Sequence, residues 1–252
     1  LRGYLGERVR APIVVEHAMR YGEPSIRRGI ASLREQGCDR ILAVPLYPQY
    51  AASTTASALD GVFGVLERMR NVPAIRVVRS FHDHPAYIAA LAASVRRYWA
   101  ANGRAERLVM SFHGLPAYTR AKGDPYYDEC RRTGQRLAAA LQLDSDTWTL
   151  TFQSRFGRTE WLKPYTSTTL EGYARQGVRR VDVVCPGFVA DCLETLEEIA
   201  VGSAEIFHHA GGEKFHHIAC LNDSVEGIDV IEAAVRREVK GWTPASCEDR
   251  GP

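Results

Sequence analysis

Nothing in this 252-residue chain approaches the roughly 18 consecutive apolar residues that a bilayer-spanning helix needs. Nor do its first residues show a charged stretch followed by an apolar one. It lacks any Cys-x-x-Cys pair: Cys38, Cys130, Cys185, Cys192, Cys220 and Cys247 are scattered through strand-like and helix-like segments. That spacing argues against a zinc ribbon or a compact iron–sulfur ligand set and fits reduced thiols. An excess of one charge is missing too, with 32 Lys and Arg against 30 Asp and Glu. Arg179-Arg180 and Arg236-Arg237 are isolated pairs, not a basic stripe interleaved with aromatics, so no nucleic-acid partner is expected. These absences lead us to expect a soluble, cytoplasmic, monomeric protein with at most peripheral membrane association.

What is present is an ordinary globular composition, 45% hydrophobic and 25% charged, enough for a substantial core. The length allows one large domain or two halves of about 100 to 150 residues. Strand-like runs alternate with helix-like ones throughout. They run from Pro12 to Ala18, Arg40 to Leu46, Ile75 to Ser80, Arg107 to Phe112, Thr147 to Gln153, Val181 to Val184 and Phe215 to Leu221. Helical patterns cover Pro24 to Gln36, Ala56 to Arg70, Ala86 to Ala101, Asp128 to Leu141, Ser167 to Gln176, a segment from Asp191, and Val225 to Lys240. Such alternation predicts an α/β fold with parallel strands and right-handed crossovers.

The pattern also echoes itself. Arg20-Tyr21-Gly22 precedes a helix ending at Gln36-Gly37 and a strand ending before Pro45. Arg155-Phe156-Gly157 precedes a helix ending at Gln176-Gly177 and a strand ending before Pro186. Glycine closes helices in many α/β proteins, but the paired Arg-aromatic-Gly favours a duplication. The expected halves are 1–103 and 104–240, followed by a tail, 241–252. The first half shows three strand patterns against four in the second, so a βα unit is expected to be missing before Leu1.

Two stretches carry the chemistry. In Cys185-Pro-Gly-Phe-Val-Ala-Asp-Cys-Leu-Glu-Thr-Leu-Glu-Glu-Ile199, an apolar strand stops at Pro186-Gly187 and helical period resumes at Leu193. A helical reading puts Asp191, Glu194 and Glu198 on one face, where a divalent cation could be held. Acidic residues in a first helical turn are also favoured by the helix dipole alone. In Ser111-Phe-His-Gly-Leu-Pro116, a short buried strand delivers His113 to a strand end, where open α/β sheets place their ligands. His82-Asp83-His84, His208-His209 and His216-His217 read as surface histidines, since none brings a closed ligand shell.

These motifs, together with Leu46-Tyr-Pro-Gln-Tyr-Ala-Ala-Ser-Thr-Thr55, Gly123-Asp-Pro-Tyr126, Thr151-Phe-Gln-Ser-Arg-Phe-Gly157 and Trp161-Leu-Lys-Pro164, resemble the ferrochelatase family in its bacterial form, in that family's order. The resemblance runs from about Val14 to Asn222. It implies two Rossmann-like, chelatase-like halves with parallel sheets and a cleft between them, and insertion of Fe²⁺ into protoporphyrin IX to give protohaem. A chelatase for another tetrapyrrole such as coproporphyrin, or a catalytically silent tetrapyrrole- or metal-binding fragment, is the alternative. By resemblance, His113 and Glu194 are the catalytic and metal residues, with Asp191 and Glu198 as further metal positions. Porphyrin contacts fall on Tyr47, Arg20, Tyr21, Trp161 and Phe188. Fe²⁺ is substrate, and neither an organic cofactor nor an iron–sulfur cluster is expected.

The residue types suit that reaction. A neutral imidazole with a pKa of about 6.5 accepts a proton near neutral pH and ligates a borderline metal. Carboxylates hold Fe²⁺ loosely enough to pass it on. Two departures from the family stand out. Its N-terminal segment with the hydrophobic lip is absent, and Cys192 occupies a position where the animal enzymes have His.

Overall fold

The computed structural model describes Gly3, Leu5 and residues 13–242; the expected tail lies outside the described residues beyond Trp242. Two compact units emerge. One comprises 1–46, 50–81 and 228–252, the other 47–49 and 82–227.

In the first unit, helix α1 (Ile26–Glu35) precedes strand β1 (Arg40–Ala43). A short π-helical segment (Ala52–Ala56) runs into α2 (Ser57–Leu66), and β2 (Ala74–Val77) pairs with β1 in parallel, Arg40 opposite Ala74. Ser25 caps α1, its side chain accepting from the Arg28 N–H at 3.3 Å. The segment predicted as the first strand is not one. Ile13 and Val15 pack beside Leu5, Val235, Leu42 and Ile231, but residues 13–18 join no ladder among the described residues. Apolar alternation there marks burial without strand pairing.

The second unit holds α3 (Pro85–Asn102), β3 (Arg107–His113), α4 (Tyr118–Ala121), α5 (Tyr126–Leu141), β4 (Trp148–Gln153), α6 (Thr166–Arg175) and β5 (Arg180–Val184). A second π-helix (Glu194–Ser203), α7 (Ala204–His209), β6 (Lys214–Ile218) and the start of α8 (Val225–Glu238) complete it. Its four strands are parallel in the order β4-β3-β5-β6. Strand β3 is central, and Leu108 to Phe112 are buried without alternation, as a parallel strand covered on both faces requires. Phe112 packs at 6.4 Å from Phe152, and truncating either ring to Ala would cost about 3 to 5 kcal/mol.

The division differs from the expected boundary at residue 103. Helix α3 packs on α5 and β6, burying Tyr87, Ile88, Leu91 and Val95, and the Trp99 indole donates to Asp182 at 2.8 Å. The apolar side of α8, through Ile231 and Val235, belongs to the first unit's core. The sequence echo has a conformational counterpart. Gly37 and Gly177 both take left-handed φ, +80° and +89°. Each is followed by the same closing bond, Cys38 N–H to Leu33 and Val178 N–H to Tyr173, both 3.0 Å. Among the described residues no helix is long and apolar enough to cross a membrane.

Candidate metal and porphyrin site

Parallel topology puts the C-terminal ends of β3, β4 and β5 at one edge of the sheet. That edge presents His113, then Gln153-Ser154, then Cys185-Pro186. The His113 ring nitrogen Nδ1 lies 2.7 Å from the Gly114 carbonyl oxygen. A carbonyl only accepts, so a neutral ring carries its proton on Nδ1 and leaves the lone pair on Nε2. The Tyr126 hydroxyl donates to the His113 carbonyl at 2.9 Å. Gly114 is required where it stands: a Cβ there would lie 2.6 Å from the Gln153 carbonyl oxygen and 3.0 Å from Cε3 of Trp161.

Trp161 reaches this edge through a short antiparallel bridge to Pro116, flanked by the bonds Ala117 N–H to Glu160 and Leu162 N–H to Leu115. Its ring is buried, it meets Phe156 at 4.9 Å, and its indole N–H has no hydrogen-bond partner. Phe156 itself is exposed.

The acidic stretch departs from the helical reading. Glu194–Ser203 is a π-helix, with i→i+5 bonding, and it begins after Asp191. Asp191 therefore shares no helix face with Glu194. Its carboxylate accepts from Thr195 Oγ1 at 3.0 Å, Asn222 Nδ2 at 2.8 Å and the Cys220 N–H at 3.3 Å. Burial pushes its pKa up, but the bonds from Asn222, Cys220 and Thr195 prevail and hold the carboxyl below its ordinary value. Glu198 is engaged as well, accepting from the Ser154 N–H and hydroxyl at 2.5 Å each and from Gln153 Nε2 at 3.4 Å.

Glu194 is bonded locally. A hydrogen bond from the Cys192 thiol and its own backbone N–H hold it below the ordinary range against partial burial, with a positive charge on His113 contributing least. Cys192 responds in the opposite sense, raised by burial and by its bond to Glu194. Of the four expected metal residues, Asp191 and Glu198 are turned to protein partners, His113 stands at the end of β3, and Glu194 opens the second π-helix. Among the described residues, no three or more His, Cys, Asp or Glu side chains are grouped to hold a metal.

The remaining expected contacts divide. Phe188 packs on the core around Val183, Cys185 and Ile199. Tyr47 belongs to the His113 unit and is 38% exposed. Arg20 and Tyr21 belong to the other unit. Arg20 Nε donates to the Ser57 carbonyl at 2.6 Å, and its guanidinium lies 4.7 Å from the largely exposed Tyr21 ring. Of the histidines read as surface residues, His82 is buried and His217 half-buried. His82 Nδ1 is 3.2 Å from Glu129, and His217 Nε2, without a hydrogen-bond partner, is 3.9 Å from Asp191.

Sequence reasoning overlooked Gln153, Ser154, Tyr126 and Thr195. All four lay inside quoted motifs, so the signal was there. A cavity of about 990 Å³ lined by Ser154, Thr166, Tyr173, Glu198 and Ile206 opens beside these residues. His113, Glu194 and Trp161 do not line it, so it is not where the imidazole and the carboxylate meet.

The ferrochelatase family model matches residues 1–239. The chain belongs to the ferrochelatase family. It is accordingly a metal chelatase, a lyase of haem synthesis whose reaction is iron insertion into a porphyrin. It is 56% identical over 249 residues to the ferrochelatase of Chromobacterium violaceum, covering 99% of this chain and 68% of that one. With the ferrochelatase of Aromatoleum aromaticum it shares 55% over 245 residues, covering 97% and 67%. The chain thus spans about two thirds of these relatives. The solved structure of SirB from Bacillus subtilis with Fe³⁺ matches with a TM-score of 0.67 at 15% identity, covering 93% of this chain and 85% of that one. That match bears on the fold, which is the α/β chelatase fold with parallel sheets.

Proposed function

We propose that this ferrochelatase uses protoporphyrin IX as its porphyrin and that His113 and Glu194 carry the metallation. The single observation behind this is the His113 ring at the C-terminal end of β3, with Nδ1 held 2.7 Å from the Gly114 carbonyl oxygen so that Nε2 is left for a substrate. In this reading the two residues divide the work. Glu194, held ionised, is a poor base near neutral pH but a steady ligand for Fe²⁺. His113, with Nδ1–H fixed on the Gly114 carbonyl, offers Nε2 to a pyrrole N–H.

Metallation removes two pyrrole protons, and in this reading His113 supplies the basic nitrogen that receives protons and Glu194 the anion that receives the cation. Tyr47, partly exposed, supplies flat aromatic surface, worth about 0.5 to 1.5 kcal/mol for a stacked pair, while the buried Trp161 backs the turn at Gly114. Asp191 and Glu198 act one step back, Asp191 closing the helix entry and Glu198 gripping Ser154.

Iron insertion followed by the Soret shift tests this. His113→Ala lowers turnover by at least about a hundredfold, the scale of a lost general base, while the unfolding midpoint stays near wild type because the ring is only half-buried. Near-normal turnover in that variant removes His113 from the role. Replacing protoporphyrin IX by coproporphyrin in the same assay settles which macrocycle is preferred.

A further inference from the structure

Gln49 is a polar side chain with no role in the reaction described so far, yet it is 2% exposed. Its amide nitrogen donates to Thr133 Oγ1 and to the Pro186 carbonyl, both at 3.0 Å. The same carbonyl accepts from the Tyr87 hydroxyl at 2.9 Å, and the Thr133 hydroxyl donates onward to the His82 carbonyl at 2.8 Å. The Gln49 amide oxygen would stand 3.7 Å from a Cβ at Gly187.

The segment Tyr47–Gln49 belongs to the His113 unit, although Leu46 and Tyr50 on either side belong to the other. A buried amide hydrogen-bonded on two sides fastens these three residues to the His113 unit. Pro186 begins the turn from which the chain runs to Phe188, Cys192 and Glu194.

We propose that Gln49 is a positioning residue for porphyrin binding: its carboxamide fastens the Tyr47-bearing segment to the Pro186–Gly187 turn that leads to Glu194. The proposal rests on Tyr47 being a porphyrin contact. Loss of the amide leaves the Pro186 carbonyl bonded to Tyr87 and Thr133 bonded to His82, so the fold survives while the segment loosens.

The test uses the full chain with Gln49→Met, which keeps side-chain volume, together with Tyr47→Ala and the double variant. Protoporphyrin IX without iron is the probe, its Kd read from fluorescence quenching, and amide hydrogen exchange is followed at Leu46–Thr55 and along β3. Gln49→Met is expected to raise Kd about fivefold, the worth of about one net hydrogen bond. Exchange should quicken at Leu46–Thr55 and not along β3. The double variant should bind no more weakly than the weaker single one, because Gln49 acts through Tyr47.

Unchanged exchange at Leu46–Thr55 overturns the proposal, and so do losses in Kd that multiply. If wild type binds no protoporphyrin IX, the functional reading and the claim on porphyrin affinity fall together; binding in wild type with exchange unmoved in Gln49→Met overturns the positioning proposal alone. Gln49→Asn, whose shortened amide reaches only one of the two acceptors, gives the same comparison should Gln49→Met not fold.

Discussion

Adding one methyl group at Gly114 probes the site where it is most constrained. An ideal Cβ would meet the Gln153 carbonyl oxygen at 2.6 Å and Cε3 of Trp161 at 3.0 Å. Comfortable separations between carbon atoms are about 3.5 to 4.0 Å, so both neighbours must retreat by about half an ångström or more. The first cannot do so freely, because the Gly114 N–H donates to that same oxygen at 2.8 Å. Overpacking of this kind costs about 1 to 3 kcal/mol, and weakening the bond adds up to about 1. For a chain of this size Gly114→Ala should lower the thermal midpoint by about 4 to 12 °C.

Gly172→Ala is the control. It sits inside α6 with nothing within 4 Å of an added Cβ, so it should raise stability by about 0.5 to 1 kcal/mol. Iron insertion at a temperature where both variants are folded then separates structure from chemistry. Displacing His113 by a fraction of an ångström should slow Gly114→Ala by tenfold or more and leave Gly172→Ala unaffected. A wild-type midpoint in Gly114→Ala, or a destabilised variant with normal turnover, refutes the reasoning.

Two further outcomes follow from the electrostatics. Glu194→Gln should raise KM for Fe²⁺ and cut turnover by about tenfold or more. It should also let Cys192 react with a disulfide reagent at lower pH, because the carboxylate that opposes thiolate formation is gone; an unchanged thiol titration would dissolve the pairing. His217 is held below its ordinary 6.5, first by burial and with Asp191 acting the other way. Between 6.5 and that lower folded value the unfolded chain binds a proton that the folded one does not. Its contribution to stability is therefore complete above 6.5 and is lost as pH falls toward the folded value. Asp191 and Glu194, also lowered, give a second loss at more acid pH, below the ordinary carboxylate value and through their folded ones. Denaturation measured between pH 7.5 and 5 should show the first slope in wild type and not in His217→Gln; equal slopes would contradict it.

Much of the second unit was legible because its inner strands, β3 and β5, are buried on both faces. Leu108-Val109-Met110 and Val181-Asp182-Val183-Val184 declare themselves as apolar runs, and Gly37 and Gly177 mark helix ends by a conformation that only glycine adopts readily. Each chemical motif begins where such a run stops, and a parallel sheet brings those stops to one edge whatever their order in the chain. The first predicted strand failed for the complementary reason. Apolar residues at 13 and 15 report contact with a core, and contact does not specify a hydrogen-bonded neighbour. The unit boundary was illegible because α3 follows β2 in sequence but buries Tyr87 and Val95 in the unit that follows.

The acidic stretch shows where local reading ends. Alpha- and π-helices draw on the same residues, so nothing in Leu193-Glu194-Thr195-Leu196 reveals i→i+5 bonding, and a period of 3.6 assigns Asp191 to a face it does not share. Thr195 decides the matter: its hydroxyl donates to Asp191 while accepting from the Cys192 N–H, so Asp191 closes the helix entry. Ser154 is the counterpart at the far carboxylate. It holds a left-handed φ of +62°, a conformation that costs a non-glycine residue about 1 kcal/mol or more. Its N–H and hydroxyl both point to Glu198, which offsets that strain. With two carboxylates committed to shaping the π-helix, Glu194 is, in the proposed reading, the carboxylate left to the metal. A single carboxylate with a single imidazole suits a metal that must arrive, lose its water and leave inside another ligand, where a closed set of four would retain it.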